Sequence, residues 1–215
     1  YSALVCAEVL TLADAVLLVQ KRGQYMQQAV PAGTGAMAAI IGLDDDLVSK
    51  ACIDAANGDV VAPVNYNSPG QIVIAAEKSA VERAMLLAKE LGAKRALPLP
   101  VSVPSHCALM KPAADKLAKD LQQLDFNTPV IPVINNVDVA APTNADEIKQ
   151  ALVKQLYSPV RWTETIQQIH TSGVTDIYEF GPGKVLTGLG KRIVKEINYK
   201  VANDTATVAA LVAGE

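Results

Sequence analysis

The chain has 215 residues, 50% of them hydrophobic and 19% charged, with a net charge of −3 and a sequence pI near 5.5. That balance excludes nucleic acid as the main partner, and no apolar run approaches the ~20 residues needed to span a bilayer. The length suits one ordinary domain or two small ones, and at 4% aromatic residues the core must be built from Val, Leu, Ile and Ala. Cys6, Cys52 and Cys107 are odd in number and far apart, which fits buried free thiols in a reducing, cytoplasmic setting rather than a disulfide framework. With two histidines and no C-x-x-C pair, no zinc site is expected. The sequence opens at Tyr1 with neither an initiator Met nor a secretory pattern, inside a helix-like stretch without a cap, and reads as a fragment or processed chain.

Residues 2–30 read as two helices, with Leu4, Val5, Leu10, Leu12, Ala15, Val16, Leu18, Val19 and Tyr25 as their apolar positions and Thr11 or Asp14 near the second start. Pro31, Gly33 and Gly35 break that pattern. The next stretch predicts a strand over Met37–Leu43, a helix over Asp44–Ala56 and strands over Val60–Asn67 and Gln71–Ala76 joined by Ser68-Pro69-Gly70. A helix over Ser79–Leu91 closed by Gly92 and a strand over Lys94–Val101 follow. The order β-α-β-β-α-β is that of a ferredoxin-like unit. A helix after His106 running through Leu124, a buried strand over Val130–Val133, helices over Asp146–Leu156 and Thr163–His170, a strand over Ile177–Phe180 and a helix over Val185–Ile197 complete the pattern. Strands alternating with helices predict an α/β part with a parallel sheet.

His106 is the most informative residue. It sits where the Pro-punctuated run Val101-Ser102-Val103-Pro104-Ser105 gives way to a helix-like segment, a position suited to a general base. No nucleophile for it to activate stands out in the sequence. His170, at a helix C-terminus, is explained by the helix dipole and takes no catalytic role. Gly33-Thr34-Gly35 lacks the Gly-Lys-Ser/Thr of a phosphate loop and precedes a strand, so it is not a nucleotide site. Gly181-Pro182-Gly183-Lys184 follows a strand and precedes a helix; it is either an anion cradle or a tight turn. Asn65, Asn67 and Gln71 either line a polar cleft or belong to an ordinary Asn/Pro/Gly turn. Arg22 lies on a solvated helix face or forms a bidentate clamp for a carboxylate.

Several segments in chain order carry a resemblance: Tyr1-Ser2-Ala3-Leu4-Val5, Arg22-Gly23-Gln24-Tyr25-Met26-Gln27, Gly35-Ala36-Met37-Ala38-Ala39-Ile40 and Asn65-Tyr66-Asn67-Ser68-Pro69-Gly70-Gln71. They continue with Pro104-Ser105-His106-Cys107-Ala108-Leu109-Met110, Pro132-Val133-Ile134-Asn135-Asn136-Val137-Asp138, Gln155-Leu156-Tyr157-Ser158-Pro159-Val160-Arg161-Trp162 and Glu179-Phe180-Gly181-Pro182-Gly183-Lys184-Val185-Leu186. Together they resemble the malonyl-CoA:acyl-carrier-protein transacylases of fatty-acid synthesis. The resemblance implies an α/β fold: an α/β-hydrolase-like large subdomain, residues 1–32 and 103–215, with a ferredoxin-like small subdomain, residues 33–102, inserted. It implies ping-pong transfer of malonyl from coenzyme A through a serine acyl-enzyme to the phosphopantetheine thiol of the carrier protein. No cofactor is called for beyond the thioester substrate.

By the same resemblance, His106 is the catalytic base and acid and Arg22 pairs with the malonyl carboxylate. The main-chain carbonyl of Gln155 orients the histidine, and Asn65, Asn67 and Gln71 line the cleft. In the family a Gly-His-Ser-Leu-Gly elbow is followed by Glu and then Tyr-Ser-Ala-Leu, so the serine is expected a few residues before Tyr1. Lys184, Lys191, Arg192 and Lys195 fall near one face of the expected last helix and are candidates for docking an acidic carrier protein. Two other readings stand beside this one: a non-catalytic fragment or subunit of such an enzyme, and an acyltransferase domain from a polyketide synthase. Arg22 favours a free carboxylate without distinguishing malonyl from methylmalonyl.

Overall fold

A computed structural model describes residues 1–31, 33–101 and 103–213. The expected subdomain boundaries at 32 and 102, and the end at 215, lie outside the described residues. The chain begins with α1 (Ser2–Cys6) and α2 (Leu12–Ala29). Thr11 caps α2: its Oγ1 accepts from the Asp14 N–H at 3.1 Å and donates to the Asp14 carboxylate at 2.6 Å. This reciprocal pairing satisfies an otherwise orphaned helix N–H.

A four-stranded antiparallel sheet follows, built from β1 (Gly35–Ile41), β2 (Val61–Ser68), β3 (Gln71–Glu77) and β4 (Arg95–Pro98) in the order β2-β3-β1-β4. Helices α3 (Asp45–Ala56) and α4 (Lys78–Glu90) cover one face. The expected β-α-β-β-α-β order is thus present, with most ends shifted by one or two residues. The last strand is shorter than its expected span of 94–101, because Pro98 and Pro100 have no N–H to give the ladder. Gly92 does terminate α4: at φ 107 it donates to Lys89 O, while Ala93 N–H reaches back to Ala88 O. These two bonds make a Schellman closure.

Pleating divides the sheet's side chains into two sets. Ala38, Ile40, Ile72, Ile74 and Ala76 pack with Val48, Cys52, Val81 and Ala84 beneath α3 and α4. Met37, Val64, Val73 and Ala75 face the other way and meet Cys107. β2 carries one extra residue opposite β3 at Val64 and another at Asn67, where the register shifts.

The helix expected after His106 is preceded by a 3-10 turn (Ala108–Met110), and α5 (Lys111–Gln122) follows with Pro112 in its first turn. Residues 130–133, expected as a buried strand, form none: Val130 is 63% and Ile131 52% exposed. Pro129 and Pro132 remove donors on either side, leaving single bonds from Asn127 N–H to Val9 O and from Val130 N–H to Ala7 O. α6 (Ala145–Lys154) and α7 (Trp162–Thr171) follow, then β5 (Asp176–Phe180), α8 (Val185–Ile193), β6 (Asn198–Ala202) and α9 (Thr205–Ala213). β5 and β6 pair in parallel. α8 stops at Ile193, short of the expected Ile197, because Val194 turns extended, and β6, which the sequence pattern did not announce, follows it. Gly190 lets α8 lie against β6, since a Cβ there would stand 2.2 Å from Tyr199 Cε1. An aliphatic core of α1, α2, α5 and α6 fills the larger part, and no described helix is long and apolar enough to cross a membrane.

Candidate active site

His106 lies on the turn that links the small sheet to α5, with its neighbour Cys107 buried against the sheet and Met110 buried in the helical core. The turn is unusual in conformation: His106 has φ 65, in the left-handed region that few non-glycine residues adopt. Two main-chain carbonyls at the end of α6 hold it there. His106 N–H donates to Leu156 O at 3.0 Å, and Nδ1 lies 2.7 Å from Gln155 O. The last carbonyls of a helix have no intrahelical partner, so a helix C-terminus supplies acceptors at no cost to the helix. A carbonyl can only accept, so Nδ1 carries the proton and the neutral ring presents the Nε2 lone pair. Nε2 makes no hydrogen bond to a described residue.

Burial lowers the His106 pKa below its ordinary 6.5; the bond to Gln155 opposes this and the charge of Arg22 adds to it. The ring is therefore a neutral base at pH 7. The negative end of α6 is placed to favour the imidazolium that forms when the base takes a proton. Arg22, on α2, has an Nε that is buried without a partner, and it forms no ion pair with a described carboxylate. Its charge also acts on Tyr1, whose phenol burial pushes up to about 12. A half-buried guanidinium without a counter-ion beside a neutral imidazole is a site suited to an anionic group.

The structure brings His106, Arg22 and Gln155 together, but not the hairpin amides in the same direct way. No hydrogen bond joins Asn65, Asn67 or Gln71 to His106 or Arg22. Register sets Asn65 opposite Val73, on the face turned toward Cys107. Asn67 is the extra residue of the second bulge, and Gln71 Oε1 accepts from Arg192 Nη1 at 2.7 Å. The strand is tied to the larger part beside Asn65, where Tyr66 N–H donates to Val160 O and Val160 N–H to Val64 O. Of the basic residues, Lys191 and Arg192 lie in the last turn of α8, Lys184 is its N-cap, and Lys195 falls beyond its end. The anion-cradle reading of Gly181-Pro182-Gly183-Lys184 does not hold: Glu179 already occupies the start of α8, accepting from the N–H groups of Leu186 (3.1 Å) and Thr187 (2.7 Å).

Two contacts escaped the sequence reading. Leu156 O holds the His106 backbone, and a main-chain carbonyl leaves no residue-type signal. Asn136 Oδ1 accepts from Gln155 Nε2 at 3.0 Å; the run Asn135-Asn136-Val137-Asp138 does carry the mark of an Asx turn.

Residues 1–213 match the acyl transferase domain family. A malonyl CoA-acyl carrier protein transacylase of Escherichia coli (strain K12) is 63% identical over 210 residues, covering 98% of this chain and 68% of the relative. The corresponding protein of Bacillus subtilis is 47% identical, over 97% and 66% of the two chains. Among solved structures, an acyl carrier protein S-malonyltransferase from Vibrio cholerae superposes with a TM-score of 0.96 at 66% identity, covering 98% of this chain and 69% of the other. A malonyl-transacylase in complex with its type II PKS acyl-carrier protein gives 0.98 at 57% identity, with coverage of 100% and 70%. The family match spans α2, the His106 turn and the end of α6, and the chain belongs to the acyl transferase domain family.

Proposed function

We propose that this chain supplies the base and the carboxylate-binding residue for transfer of malonyl from coenzyme A to the phosphopantetheine thiol of acyl carrier protein, in fatty-acid synthesis in the cytoplasm. The observation that carries this reading is the pairing of a neutral, carbonyl-oriented imidazole with an unpaired, half-buried arginine. The sequence relatives act in the same sense by name, and one solved relative is held with its carrier protein.

In the reading, His106 Nε2 takes the proton of a serine hydroxyl as its oxygen attacks the thioester carbonyl. The same proton then goes to the departing coenzyme A thiolate. In the second half His106 deprotonates the carrier thiol, which attacks the serine ester, and returns the proton to the serine oxygen. Arg22 holds the malonyl carboxylate throughout, a bidentate task for which Lys is a poor substitute. No Gly-x-Ser-x-Gly occurs in the 215 residues, and the serine is assigned to sequence outside them. The four-stranded unit is read as a ferredoxin-like subdomain inserted in an α/β-hydrolase-like one; its strand order supports this. Asn65, Asn67 and Gln71 are assigned to the cleft between the two.

Labelled malonyl-CoA tests the assignment. The 215 residues alone form no stable acyl-enzyme, whereas the same chain joined to a serine-bearing segment does; stable acylation of the 215 residues alone overturns it. In the joined form Arg22→Met lowers malonyl transfer roughly tenfold to a hundredfold, the loss of hydrogen bonds to a charged group, while acetyl transfer is spared.

A further inference from the structure

We infer that Asn136 is a positioning residue for the base: it grips the turn whose carbonyls orient His106, and it rests on the reading of His106 as that base. Its side-chain Oδ1 accepts from Gln155 Nε2 at 3.0 Å and its main-chain carbonyl accepts from Arg161 N–H at 2.8 Å. One residue thus holds both ends of segment 155–161. That segment carries everything that fixes the base from this side: Gln155 O on Nδ1, Leu156 O on the His106 N–H, and Val160, which pairs with β2 on either side of Asn65.

The loop bearing Asn136 is itself rigid. Asn135 Oδ1 accepts from the N–H groups of Val137 (3.2 Å) and Asp138 (2.7 Å), and its Nδ2 donates to Ala140 O at 2.9 Å. Val139 is held at φ 57, where a β-branched residue is an outlier. Asp138 pairs with Lys154 at the end of α6, so the loop is anchored to the same helix terminus twice. Strain at Val139 and at His106, at the two ends of one hydrogen-bonded chain, is the pattern expected where a scaffold over-determines a functional geometry.

The consequence reaches the ring through the carbonyl. If Gln155 loses its tether, its carbonyl is free to rotate, and the Nδ1–H preference of His106 goes with it. Arg22 of α2 is the charged side chain that acts on the ring among the described residues, and the α6 carbonyls are the opposing influence.

The test is ¹⁵N-histidine NMR on the chain as it stands. It holds two histidines, and His170 on α7 is exposed and serves as an internal control. Asn136→Leu removes the acceptor; Gln155→Met removes the donor while keeping the main-chain carbonyl. Each is expected to turn the single Nδ1–H tautomer of His106 into a mixture of both and to lower its titration midpoint, with His170 unmoved. The double variant does no more than either single one. Asn136→Asp keeps the acceptor, keeps the tautomer and raises the midpoint. An unchanged His106 tautomer in Asn136→Leu, or effects that add in the double variant, overturns the inference. Should Asn136→Leu fail to fold, an unchanged tautomer in Gln155→Met overturns it equally. The readout is the imidazole itself, so its failure is separable from a failure of the malonyl-transfer assignment.

Discussion

A base in a thioester exchange must accept a proton at one nitrogen while the other is held, and His106 meets both conditions without a carboxylate partner. The held nitrogen faces the Gln155 carbonyl, which fixes the tautomer but adds no full charge. The ring therefore stays neutral under the combined effect of burial and Arg22. Linkage gives the sign for stability: with the folded midpoint below the unfolded 6.5, the unfolded chain binds more protons between the two values, so stability falls as pH drops through that window. Removing the Arg22 charge relieves part of the depression. Arg22→Met is expected to raise the His106 midpoint in an NMR titration; an unmoved or lower midpoint would place Arg22 away from the ring. His106 and Arg22 were legible as candidates because their side chains are rare and chemically distinctive. The Gln155 carbonyl entered through the family resemblance and the Leu156 carbonyl not at all, since every residue has a carbonyl and local pattern does not say which ones point at His106.

Elements deliver the site through close approach. β1 starts at Gly35, and a Cβ there would stand 2.4 Å from Pro104 Cδ, in the turn that leads to His106. Gly35 is a packing contact between the sheet and the His106 turn. Gly35→Ala is expected to cost about 1–3 kcal/mol in urea unfolding, the usual range for overpacking, and to shift the His106 resonances along with stability. Unchanged resonances would show that the proline ring yields without moving the turn. Helix and strand periodicity located most elements within a residue or two. It failed where proline outranked hydrophobicity, at 130–133 and at the end of β4, and where an apolar run changed from helix to strand without punctuation, at α8 and β6. Val194, Ile197 and Tyr199 are buried together with Ile166, so the same residues satisfy either period until the core is assembled.

Across the whole molecule, the sheet and the helical part meet along a seam that passes through β2, the His106 turn and segment 155–161. Arg192 bridges the far end of that seam to the neutral amide of Gln71, and Lys191 beside it is exposed; neither forms an ion pair with a described carboxylate. If this face steers an acidic carrier protein, Lys191→Glu raises the KM for the carrier by up to about fivefold at low salt, the range of an exposed charge pair. The effect fades as ionic strength rises. A KM unmoved at low salt would remove Lys191 from the docking face.

The acyl-transfer reading came from the family resemblance, while from residue pattern alone came the α/β class, the β-α-β-β-α-β order, the ends at Thr11 and Gly92 and a candidate base at His106. These follow from local periodicity, from turn chemistry and from side-chain identity, all of which are written one residue at a time. Folding added the left-handed turn at His106, its Leu156 anchor, the Asn136 tether and the capture of Gln71 by Arg192. Each joins residues far apart in the chain through backbone groups or generic polar side chains. Such pairs exist only once packing has brought the segments to within hydrogen-bond distance.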